Sequence, residues 1–89
     1  MGAMNLSQWR SWRWECRDST RGHDRYYVIH LQQDLWGDWE LYQAWGGLGT
    51  RLGRDRAVPL GGPGDALPLV KRCHRRRLSH GYRLVGGGV

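Results

Sequence analysis

A chain of 89 residues with 39% apolar content allows one domain with one modest core, since folding at this size buries only roughly 60% of the unfolded surface. Fourteen Lys and Arg against eight Asp and Glu give a net charge of +6 and point to anionic partners. No stretch reaches the ~20 apolar residues a membrane helix needs, and the amino end lacks the apolar run of a secretory signal, so the expected compartment is the cytoplasm.

Residues 9–17, WRSWRWECR, alternate aromatic and polar side chains and predict a first strand, with Trp12, Trp14 and Cys16 on one face. A polar loop from Asp18 to Asp24 follows. RYYVIHLQQ at 25–33 is the clearest strand, with Tyr27, Ile29 and Leu31 on one face and Tyr26, Val28 and His30 on the other. Residues 34–38 read as a hairpin connection into WELYQAW at 39–45, where Trp39, Leu41, Gln43 and Trp45 share a face. The glycines at 46, 47 and 49 mark a sharp turn directly after a tryptophan. Residues 51–55 continue a polar connection, and 56–60 form a short final strand whose Pro59 suits an edge.

From Asp65 to His80 the period becomes helical. Asp65 is expected to cap the helix and Pro68 to lie within its first turn. Ala66, Val70, Cys73 and Arg77 form one stripe bordered by Leu67, Leu69 and Leu78; Lys71, Arg72, Arg75 and Arg76 project from the opposite side. Gly81 fits a left-handed C-cap with Tyr82 folding back over it. The expected fold is α+β, a small antiparallel sheet of three or four strands packed against one C-terminal helix. Residues 9–83 form the domain, between flexible termini at 1–8 and 84–89.

WELYQAWGGLG, taken with the YYVIHLQ strand before it and the basic helix ending in Gly81-Tyr82, resembles the WGR domain. This small module occurs in DNA-damage-responsive poly(ADP-ribose) polymerases and in many bacterial proteins. Similarity runs from about Trp14 to Tyr82. The resemblance implies a bacterial, DNA-binding accessory domain in which Trp45 is the motif tryptophan, packing against sugar or terminal base at a break, and Gly46 the motif glycine. The motif arginine is replaced by Gly47, which removes the best-placed charge-assisted contact to phosphate; Arg51 or Arg54 would have to reach the same surface.

Thirteen of the fourteen basic residues are Arg, whose planar fork suits phosphate, and no acidic residue interrupts 71–83. The nucleic-acid candidates are therefore Trp45, Arg51, Arg54, Lys71, Arg72, Arg75 and Arg76, with His74, Arg77 and Arg83 as possible additions. The plain alternative is a solvated helix face whose cations suit the helix dipole. Trp45 is expected to serve mainly as a buried ring at the strand end, even with an edge left accessible. Trp36 and Trp39 are candidates for a protein-interaction patch, with self-association at the open strand edge as a variant of that reading, or else clamp their hairpin. Cys16 and Cys73 are too few for a four-thiolate zinc site, and their spacing to His23, His30, His74 and His80 is not that of a zinc ligand set. No nucleophile, base and orienting group are grouped in the sequence, and GGLGTRLG lacks the ending of a phosphate loop. A binding module needing no metal and no cofactor is the expected class.

Overall fold

The computed structural model describes residues 11–18, 23–50 and 53–89. Five strands form one sheet: β1 (Ser11–Asp18), β2 (His23–Gln33), β3 (Trp39–Gly47), β4 (Gly53–Pro59) and β5 (Arg83–Gly86), with the helix α1 (Ala66–Ser79) between the last two. The order is β4-β3-β2-β1-β5 and every pairing is antiparallel. The α+β class with one C-terminal helix is thus observed, with five strands rather than three or four.

The earlier start of β4 and the added β5 both come from tertiary pairing. β4 begins at Gly53, inside the segment the sequence marks as a polar connection, because Arg54 and Arg56 find partners opposite Trp45 and Gln43 on β3. The carboxyl end is not a loose tail over 84–89: Leu84 pairs with Trp14 and Arg83 with Glu15, and the Gly88 carbonyl accepts a 2.7 Å hydrogen bond from the Trp12 indole. Gly87 has φ +90°, and a Cβ there would stand 2.6 Å from the Ser11 carbonyl, so only glycine lets the chain cross β1 at that point. Residues 1–8 and Trp9 lie outside the described residues.

The registers set two sheet faces. Trp12, Trp14, Tyr27, Ile29, Leu31, Leu41, Gln43, Trp45, Val58 and Leu84 align beneath the helix. The buried cluster is Trp12, Trp14, Ile29, Leu31 and Leu41 from the sheet with Ala66 and Val70 from α1. Large indoles on β1 thus meet shorter side chains on the helix. The Trp14 indole also donates to Nδ1 of His74 at 3.0 Å.

The expected cap by Asp65 is corrected. Asp65 is itself in the helical region, ending a short 3-10 turn (Pro63–Asp65), and makes no side-chain capping bond; a capping residue needs extended backbone. The C-terminus follows expectation: Gly81 at φ +87° donates to Leu78, and Tyr82 donates to the Arg77 carbonyl at 2.9 Å, the paired bonds of a Schellman motif.

The face away from the helix satisfies its own polar groups. Ser11 Oγ lies 2.7 Å from His30 Nδ1, His30 stacks on Tyr42, and the Tyr42 hydroxyl donates to Asp55 at 2.8 Å. Glu15 is paired with Arg13 at 2.9 Å and Arg17 at 3.2 Å, and the Arg13 hydrogen bond in particular holds its carboxyl below the usual range. His30 is therefore a hydrogen-bonded sheet residue, as its strand position suggests.

Candidate nucleic-acid interface

The helix does not cover the sheet evenly. It lies over β1 and β2 and leaves the helix-side surface of β3 and β4 partly open, so a groove of about 450 Å³ runs between α1 and the far edge. Its floor is Tyr27, Trp45, Leu69 and Cys73; Arg56, Arg72, Arg76 and Arg77 stand around it.

Each of these side chains is placed by a specific neighbour. Trp45 stacks on Tyr27 with centroids 5.7 Å apart and planes 13° from parallel, and Tyr27 meets the edge of Trp14 at 6.1 Å. An aromatic series therefore runs from the core to the groove. Arg77 lays its guanidinium 4.6 Å from the Tyr27 ring and 5.2 Å from the Tyr82 ring, with its buried Nε making no hydrogen bond. Stacking on two rings offsets part of that desolvation. Arg56 donates from Nε to Gln43 Oε1 at 2.6 Å, directly across the β3–β4 ladder. Gln43, only 7% exposed, so fixes the guanidinium and leaves its outer nitrogens open.

Among the described residues none of Arg54, Arg56, Arg72 and Arg76 is ion-paired with a carboxylate. Gathering like charges without a counterion raises the energy of the folded chain, and an anion in the groove would lower it.

The six Trp divide by depth: Trp12 and Trp14 are buried, Trp39 and Trp45 half-buried, and Trp36 is 83% exposed, with Trp9 undescribed. Burial as the main role of Trp45 is therefore corrected, while the accessible edge is observed: Trp12 and Trp14 already fill the space beneath the helix, and Trp45 lies in the groove floor with one face on Tyr27. Of the predicted cations, Arg72 and Arg76 line the groove, one helical turn apart. Lys71 and Arg75 are exposed but point away from it. Arg54 sits opposite Trp45 on β4, beside a shallower depression formed with Gly46 and Gly53. Arg51 lies outside the described residues.

Two suggested additions do not join the cluster. His74 is engaged by Trp14, and Arg83 pairs with Glu15, whose side chain is on the opposite sheet face. Trp36 and Trp39 are also separated, because Trp39 packs on the core while Trp36 stands at the hairpin tip.

Arg56 and Arg25 are the cations that sequence reading missed. Arg25 lies directly across the β2–β3 ladder from Gly47. It borders an adjoining depression with Trp45, Arg77, His80 and Asp18, so a guanidinium stands beside the position where the motif arginine is missing. Strand register alone reveals this; only the alternation of faces in 25–33 hinted at it.

Cys73, in the groove floor, has its thiol pushed up chiefly by burial, which outweighs the lowering effect of Arg77. Burial likewise raises Tyr27. Both are thus held neutral, and the stability this confers is complete below their ordinary values and declines as pH rises through the shifted ones. Cys73 in the native protein is expected to react with an aromatic disulfide reagent at least about tenfold more slowly than in the denatured chain at neutral pH. Equal rates, followed by mass spectrometry, would contradict this placement.

The described residues contain no group of three or more His, Cys, Asp or Glu able to hold a metal ion, and no helix long and apolar enough to cross a membrane. Fold and groove together define a small sheet-and-helix domain with an aromatic, cation-lined surface. The chain belongs to the WGR family: the model of the WGR domain matches residues 11–88. No curated protein and no solved structure matches the chain.

Proposed function

We propose that this WGR domain binds the phosphate backbone of DNA or a similar polyanion through the groove around Trp45, without reading sequence and without catalysis. The carrying observation is that Arg56, Arg72, Arg76 and Arg77 converge on one aromatic-floored groove and have no carboxylate partner among the described residues. Arg54 and Arg25 extend the basic surface to either side of Trp45. The outer side of α1 offers guanidinium groups, which suit phosphate oxygens and carry no base readout of their own.

Labelled closed, nicked and blunt-ended duplexes, titrated at low and high salt, test the reading. Micromolar binding is expected at low salt. Four neutralised phosphates give a slope of roughly −3.6 in log affinity against log salt. No binding at low salt would reject the proposal.

Gly47→Arg sharpens the test. Gly47 is not in the left-handed region, and its Cβ would meet the Thr50 side chain at 3.3 Å, a contact that a few tenths of an ångström relieve. One added charge-assisted contact is expected to raise duplex affinity by roughly tenfold.

A further inference from the structure

The β2–β3 hairpin ends in two of the most exposed apolar side chains of the described chain, Leu35 at 94% and Trp36 at 83%. The tip that carries them is closed by hydrogen bonds. Asp34 Oδ1 accepts from the amides of Trp36 and Asp38, both at 2.9 Å, the Asp34 amide donates to the Asp38 carbonyl at 2.8 Å, and Gln33 closes on the Gly37 carbonyl at 3.0 Å. Holding two apolar side chains outward in a fixed turn costs solvation free energy that burial in a partner would return.

The surrounding charge selects the partner. Between residues 26 and 50 there is no Lys or Arg, while Asp34, Asp38 and Glu40 cluster at and beside the tip, and no cation occurs from 57 to 70. The tip is an acidic pole with an apolar point, which disfavours nucleic acid and anionic membrane alike. Its complement is a groove with flat rings inside and a cationic rim, and this chain carries one: Tyr27, Trp45 and Leu69, with Gln43 beside them, among Arg56, Arg72, Arg76 and Arg77. Trp39 and Trp45 are six residues apart on one strand, about 20 Å, with Trp36 beyond them, so the tip cannot enter the groove of its own chain.

We propose that the Leu35–Trp36 tip of one copy docks in the Arg-rimmed groove of a second copy, head to tail, so that assembly and polyanion binding compete for one surface. This contact is heterologous and leaves a free tip and a free groove at the two ends, so further copies add until the rotation between copies closes a ring, or without end where it does not. The inference uses the lining of the groove and does not depend on polyanion binding.

Sedimentation velocity of the full chain over a concentration series at low salt tests it, with Trp36→Ala and the pair Arg72→Glu, Arg76→Glu as variants. The weight-average mass of the unaltered chain should rise with concentration and return to the monomer in high salt. Each variant should weaken association at least about tenfold. An equimolar mixture of the two variants should form a heterodimer and stop there, since one supplies the only intact groove and the other the only intact tip.

A chain that stays monomeric at all concentrations overturns the proposal. So does assembly that survives either variant, which would mean tip pairing with tip or with another surface. Trp36→Ala should keep full duplex affinity, so loss of assembly beside intact duplex binding leaves the polyanion reading untouched.

Discussion

Reversing charge at Arg72 and Arg76 together is expected to lower duplex affinity by roughly 100-fold or more at low salt and to flatten the salt dependence by about two units. Two cations that each neutralise a phosphate become two anions facing it. Their side chains are exposed and make no ion pair among the described residues, so the far-ultraviolet circular dichroism spectrum and melting temperature should change little. The informative control is Lys71→Glu with Arg75→Glu, which alters the same number of charges on the same helix but away from the groove. A groove-bound anion makes the first pair much the more damaging, whereas equal losses would mean that the whole helix face acts as a diffuse basic surface. An unchanged affinity in both would leave these cations as solvent-facing charge. Fluorescence anisotropy at two salt concentrations reads all three outcomes.

Trp14→Ala is expected to cost about 3–5 kcal/mol, the range for emptying a fully buried aromatic site. The ring is 0% exposed and carries the edge contact to Tyr27 and the hydrogen bond to His74, so its removal opens a cavity and leaves an imidazole nitrogen unpaired. A domain of this size has a total stability of roughly 4–13 kcal/mol, so the variant should be largely unfolded or melt far lower. Trp14→Phe keeps much of the ring volume and should recover more than half of the loss, separating packing from the hydrogen bond. Trp45→Ala provides the contrast: with one face on Tyr27 and another on the groove, it should cost only about 1–2 kcal/mol and weaken duplex binding more than it weakens the fold. Chemical denaturation of the three variants orders them, and a larger loss for Trp45 than for Trp14 would reverse the division between core and groove drawn here.

That division shows where sequence reading reached its limit. Trp14 and Trp45 sit in similar alternating patterns, WRWEC and LYQAW, and alternation assigns each a face without saying how much of that face is covered. The helix is narrower than the five-stranded sheet and lies over β1 and β2, which buries Trp14 and exposes the groove side of Trp45. Arg77 is a similar case. Its place in the apolar stripe was visible from spacing, but its two aromatic partners come from β2 and from the residue after the C-cap, which only the folded chain brings together.

The sequence by itself determined the α+β class, the limits of the central strands to within a few residues, the amphipathic helix with its basic side and Gly81 cap, and the likeness to WGR domains. All of these rest on local period, glycine and proline chemistry, or the order of short motifs along the chain. Tertiary structure decided the fifth strand, the pairing of Arg25 with Gly47 and of Arg56 with Gln43, and the split of the helix cations into Arg72 and Arg76 in the groove and Lys71 and Arg75 outside it. The physical reason is that register and helix placement follow from contacts between residues distant in sequence, and a shift of one position in a strand would send every side chain on it to the other face.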